Sequence, residues 1–149
     1  MTKGLVTVFG GSGFIGRYAA RGLVKKGWRV RVACRHVNTA GDVRLAGPPG
    51  WVDVVQANIR NRESIERALD GADAIVNLVG IMFEKGAQTF ESSQRDGAAL
   101  LADVAAGLGR HTEFDIRTHP SVDIQQRKGE LLQHCATMTA CAIYDVRVL

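Results

Sequence analysis

Seven consecutive residues, Gly10-Gly11-Ser12-Gly13-Phe14-Ile15-Gly16, contain four glycines and constrain this chain more than any other stretch. They stand between an apolar run, Leu5-Val6-Thr7-Val8-Phe9, and a helical pattern from Phe14 to Lys26. The run is short, rich in β-branched residues and closed by glycine, as a strand buried on both faces reads. The helical pattern carries Ile15, Tyr18, Ala19, Gly22 and Leu23 on one face, and Gly27 stops it. Trp28 to Cys34 then reads as a second strand, with Trp28, Val30, Val32 and Cys34 on its apolar side and Arg29 and Arg31 opposite. A strand, a glycine turn, a helix and a second strand make a βαβ unit.

The alternation continues. Residues 36–50 include Pro48-Pro49-Gly50 and read as a loop. Trp51 to Ala57 reads as a third strand, and Asn61 as the cap of a short helix that Gly71 ends. Ala74 to Val79 is a fourth strand, followed by a long helix over about Thr89 to Leu108 with Phe90, Leu100, Leu101 and Val104 turned inward. The expected fold is α/β, a doubly wound parallel sheet of Rossmann type, incomplete at its C-terminal end. Sixteen of the 17 glycines lie in residues 1–110, so the chain divides into a body, 1–110, and a divergent tail, 111–149. In the tail a helix over 121–138 and a strand over 141–149 are expected.

The glycine spacing has a chemical reason. The first allows a tight turn, the middle one lets a pyrophosphate approach the backbone, and the last lets helix pack on strand. The helix N-terminus then offers free N–H groups and a positive dipole end to the phosphates. The turn alone could be structural; its place in a βαβ unit favours a dinucleotide. No G-K-[ST] follows, which excludes a P-loop nucleotidase. Where the second strand ends, an acid would hold the 2′-hydroxyl of NAD, but the chain reads Ala33-Cys34-Arg35-His36. A guanidinium suits a 2′-phosphate, so Arg35 argues for NADP(H) over NAD(H), with His36 as a second donor.

On these residues the body resembles the extended and atypical short-chain dehydrogenase/reductases. It is closest to the branch that holds the nucleotide-binding accessory subunit of respiratory complex I and its bacterial relatives. The resemblance covers about residues 4–108. It rests on Val8 to Arg17 across the glycine turn, on Val30 to Arg35, on Val76-Asn77-Leu78-Val79-Gly80 and on Thr89-Phe90. It implies a cofactor site of Gly10, Gly11, Ser12, Gly13, Phe14, Ile15 and Gly16, with Arg35 and His36, with Asn58 and Ile59 beside the adenine, and with Asn77 and Gly80 beneath the cofactor. Asn77 reads equally as a satisfied core amide. Membership of a complex I-like assembly would make the protein peripheral on an energy-transducing inner membrane; otherwise it is cytoplasmic.

The family's proton donor is the tyrosine of Tyr-x-x-x-Lys, whose lysine lowers the phenol pKa. Here Tyr18 is followed four residues later by Gly22, and Tyr144 by Val148. A faint match places Lys128 at the lysine position, with Ile124 where the tyrosine belongs, and Ser121 is isolated. Residues 112–117 read as a poor strand. The expectation is a dinucleotide-binding protein related to NAD(P)-dependent oxidoreductases without a full catalytic set. The alternative is a non-catalytic accessory module in which bound nucleotide stabilises a docking subunit.

Composition narrows the other classes. At 149 residues, 46% hydrophobic and 23% charged, the chain suits one globular domain and neither a disordered tail nor a disulfide-stapled miniprotein. No apolar run approaches the ~20 residues of a membrane span, and glycines end the N-terminal stretch before a signal-peptide core could form. Cys34, Cys135 and Cys141 are an odd set without metal-type spacing, which suits a reduced, intracellular protein. The net charge is +4, and no acid precedes Asp42. The early cations read first as a solvated helix face and strand ends; aromatics do not interleave with them, so as an anion a cofactor phosphate fits better than nucleic acid.

Overall fold

The structure, a computed structural model, describes residues 2–80, 86 and 95–108, with the backbone of 111–115 and 142–147. In chain order the elements are β1 (Leu5–Phe9), α1 (Phe14–Lys25), β2 (Arg29–Cys34), two 3-10 turns (Val37–Thr39 and Gly41–Ala46), β3 (Val52–Gln56), α2 (Arg62–Leu69), β4 (Ala74–Asn77), α3 (Asp96–Gly107), β5 (His111–Asp115) and β6 (Ala142–Arg147). They form one sheet in the order β3-β2-β1-β4-β6-β5. The first four strands run parallel, with Val6 opposite both Val30 and Ala74, and Val8 opposite both Val32 and Val76.

Alternation along the strands builds two cores. Val6, Val8, Val30, Val32, Val52 and Val54 face one side and pack with Ala20 of α1 and with Ala40 and Val43 of the 3-10 region. Phe9, Ala33 and Ile75 face the other and meet Ile65, Ala68 and Leu69 of α2 and Leu101, Val104 and Ala105 of α3. Helices therefore cover both faces of a parallel sheet, the doubly wound arrangement. Arg31 lies opposite the valine side of β2, as expected, and has a structural task. Its Nη1 donates to Ala68 O at 3.0 Å and Asp70 O at 2.6 Å, capping the carbonyl end of α2. The buried Thr7 hydroxyl donates to the same Ala68 oxygen at 2.9 Å.

Two expectations need correction. The buried residues of α1 are Gly16 and Ala20, with Leu23 and Val24 packed partly against the core. Ile15 and Tyr18, expected inside, are 58% and 64% exposed. The helix seats against the turn before it, where only the smallest side chains fit, so the packing surface follows size rather than hydrophobicity. Residues 111–115, part of a stretch read as a poor strand, form β5, paired antiparallel to β6 from His111–Arg147 to Asp115–Ile143. Strand propensity depends on context, and β5 takes the edge of the sheet beside β6. β6 in turn runs antiparallel to β4, with Ile75 opposite Tyr144. Phe90, Ser121, Ile124, Lys128 and the helix over 121–138 lie outside the described residues.

Candidate functional site

β1 connects through α1 to β2 on one side of the sheet centre, while β4 lies on the other. The chain thus diverges at the C-terminal ends of β1 and β4, the place where open α/β sheets form a crevice. A cleft of about 290 Å³ lies there. It is lined by Phe9, Gly10, Ser12 and Gly13 from the first turn, Ala33 to Arg35 from β2, Ala57 to Arg60 after β3, and Leu78 to Gly80 after β4.

Gly10, Gly13 and Gly16, spaced three residues apart, have different reasons to be glycine. Gly10 has φ +75°, and a Cβ there would stand 2.7 Å from Leu78 O, so the turn and the segment after β4 approach backbone to backbone. A Cβ on Gly16 would collide with Gly10 O and Gly11 Cα, which seats α1 on the turn. Gly13 differs from both. Its φ is −73°, it is exposed, and a Cβ there would meet nothing closer than Gly10 O at 3.4 Å. Of the two turn glycines that line the cleft, Gly10 and Gly13, the fold leaves room for a side chain only at Gly13. Gly11 is buried, its Cβ position taken by Val32 and Val8, and it does not line the cleft.

The two helix N-termini nearest the cleft contrast in the same way. Asn61 caps α2, its Oδ1 accepting from Ser64 N at 2.8 Å, and Glu63 lies in the first turn. At α1 the N-cap is Gly13; no side chain caps it among the described residues, and the first turn has no acid. α2 satisfies one first-turn amide, Ser64 N, with its own cap, whereas α1 has no such side-chain cap among the described residues. Phe14 and Ile15 are 80% and 58% exposed and absent from the cleft lining.

Among the described residues, the lining carries two guanidinium side chains, Arg35 and Arg60, and no carboxylate. His36 is exposed and does not line the cleft; its carbonyl accepts from the Thr39 hydroxyl at 3.0 Å. Asn58 lines the cleft and is held from three sides. Its N–H donates to Ser64 Oγ at 2.9 Å, its Oδ1 accepts from Arg60 N at 3.0 Å, and its carbonyl accepts from Asn61 N at 3.0 Å. The cap of α2 therefore also fixes Asn58, whose remaining side-chain group is an NH₂ donor. Ile59 and Gly80 line the cleft with it. Asn77 lies below, 7% exposed, and its Oδ1 accepts from Val79 N at 3.1 Å, shaping the Leu78–Gly80 wall.

The sequence did not single out Cys34 or Arg60 as site residues. Cys34 ends β2, as the sequence indicates, and lines the cleft; the strand end was read for its cation, Arg35, and not for the thiol before it. Burial pushes its thiol pKa up, against hydrogen bonds with the His36 backbone and the Ser12 side chain that pull it down.

Known proteins resemble this chain in sequence and in fold. The chain is 32% identical over 112 residues, 74% of its length, to the Dictyostelium discoideum protein named NADH dehydrogenase (ubiquinone) 1 alpha subcomplex subunit 9, mitochondrial. It is 29% identical over 111 residues, 72% of its length, to the ceramide reductase of Caulobacter vibrioides. In each case the match spans 32% of the relative, so the chain corresponds to about a third of their length. A short-chain dehydrogenase from Bacillus anthracis superposes with a TM-score of 0.63 at 19% identity, over 70% of this chain and 49% of that one. The fold is thus the Rossmann-like fold that this short-chain dehydrogenase also has. The match to the model of the NmrA-like family runs over residues 2–112 and takes in every strand and helix that builds the cleft, and the chain belongs to that family.

Proposed function

We propose that residues 1–110 are the binding body for a nicotinamide dinucleotide, with the tail 111–149 outside it, and that the cleft prefers NADP(H) to NAD(H). Gly13 carries the reading: a position with room for a side chain is glycine where a pyrophosphate would need the space. The uncapped amides of α1 would hold the pyrophosphate with Gly10 and Ser12. Arg35, with Arg60 nearby on the same cleft and His36 just outside it, would meet a 2′-phosphate. Asn58 would offer its NH₂ to an acceptor on the adenine ring, and Ile59 its apolar side. Asn77 and Gly80 would support the nicotinamide half. The dinucleotide, when bound, supplies a hydride donor or acceptor; these residues bind and orient it. Titrating NADPH into the chain and following its fluorescence tests the reading, with saturable binding expected. No change up to millimolar chain would contradict it.

A second reading follows from the name of the Dictyostelium relative, a subunit of NADH dehydrogenase. In it the chain is a nucleotide-stabilised accessory module of a respiratory assembly, peripheral on an energy-transducing inner membrane. No helix among the described residues is long and apolar enough to cross a membrane. Neither Tyr18 nor Tyr144 is followed by lysine at the family spacing, which favours binding without turnover. A panel of carbonyl substrates separates the readings: rapid, stoichiometric NADPH oxidation would defeat the module.

A further inference from the structure

We infer that Arg17 and Asp42 are a positioning pair for the phosphate-facing turn, an inference that rests on the dinucleotide reading above. Arg17 sits in the first turn of α1 and reaches two ways. Its Nε donates to the Ser12 carbonyl oxygen at 3.0 Å, and its Nη1 pairs with Asp42 Oδ2 at 2.6 Å. At the other end of the same peptide unit, Gly13 N–H donates to Gly10 O at 3.2 Å. The Ser12–Gly13 peptide is therefore clamped at both its oxygen and its nitrogen.

That peptide borders the cleft on both sides of its bond, since Ser12 and Gly13 are lining residues. A carbonyl turned toward a phosphate repels it, whereas backbone N–H groups attract it. By holding the Ser12 oxygen, Arg17 opposes the flip that would present it to the ligand. Asp42 does not line the cleft; it belongs to the 3-10 turn Gly41–Ala46, downstream of Arg35 and His36. The line Asp42–Arg17–Ser12 thus joins the turn proposed for the pyrophosphate to the segment that leaves the proposed 2′-phosphate side.

Asp42 makes the inference testable by sign. As a bare charge, a carboxylate near an anion site repels the ligand, so Asp42→Asn would tighten NADPH binding. As the residue that holds Arg17, its loss frees the turn and weakens binding. Both side chains are about half exposed, 48% and 50%, so the effect is modest and best read at low salt.

The experiment is calorimetric titration of NADPH and NADH into the unsubstituted chain, Asp42→Asn, Arg17→Gln and the double variant, with amide hydrogen exchange at Gly13 read without ligand. Asp42→Asn should weaken both dinucleotides alike, by about two- to fivefold. In the Arg17→Gln background it should weaken them no further, and it should speed exchange at Gly13 while leaving Val8 unchanged. Equal or tighter binding to Asp42→Asn overturns the inference. If the unsubstituted chain binds neither dinucleotide, the binding reading itself fails. Exchange then decides alone: faster at Gly13 in Asp42→Asn supports the pair, and unchanged exchange removes it.

Discussion

Gly16 packs so closely on Gly10 that a Cβ at Gly16 would collide with the Gly10 carbonyl oxygen, whereas one at Gly13 would keep 3.4 Å from that same atom. The same motif therefore holds one glycine that the packing requires and one that it does not, the one proposed to face the ligand. Gly16→Ala should cost about 1–3 kcal/mol through overpacking, read as a lower thermal midpoint. Gly13→Val should melt within about 1 kcal/mol of the parent, since only the helix cap changes, yet lose dinucleotide binding. The reverse pattern, a stable Gly16→Ala and an unfolded Gly13→Val, would contradict the division of roles.

In the proposed reading, cofactor choice turns on Arg35. Losing a charge-assisted hydrogen bond to a 2′-phosphate should cost about 1.5–3 kcal/mol, roughly ten- to over a hundredfold in affinity. Arg35→Asp should therefore weaken NADPH far more than NADH, as paired titrations would read. Equal losses would make Arg35 an ordinary surface charge.

Much of the fold was legible because its signals are local. Leu5 to Phe9 is a buried strand by composition, Asn61 is a cap by type and place, and the glycine spacing locates the turn. The inner face of α1 was not legible, because hydrophobicity points to Ile15 and Tyr18 while steric room at Gly16 decides. β5 was hidden for a related reason: its pairing comes from β6, far along the chain. In the site, Arg35 and Asn58 could be read from strand ends. The tie between Arg17 and Asp42 could not, since nothing in a 25-residue separation announces an ion pair.

Arg31 separates a structural cation from those on the cleft. Its bonds to Ala68 O and Asp70 O close the end of α2. Arg31→Ala should lower stability by about 1–2 kcal/mol in urea unfolding while leaving NADPH affinity unchanged. A large loss of affinity at unchanged stability would place Arg31 on the ligand instead.

Cys34 sets an alkaline limb. Its thiol pKa is raised in the fold, so the unfolded chain ionises first as pH rises. Its contribution is whole below the ordinary thiol value, about 8.5, and is lost as pH climbs through the raised one. Unfolding free energy should fall more steeply above about pH 8.5 in the parent than in Cys34→Ser. Parallel curves would mean that the thiol titrates alike in both states.

The most direct test of the central claim is a calorimetric titration of NADPH into the parent chain beside Gly13→Val, with both proteins checked for the same thermal midpoint. A saturable heat for the parent and none for an equally folded Gly13→Val is the predicted result. Two equally folded proteins that bind NADPH alike, or a parent that does not bind it, would contradict the claim.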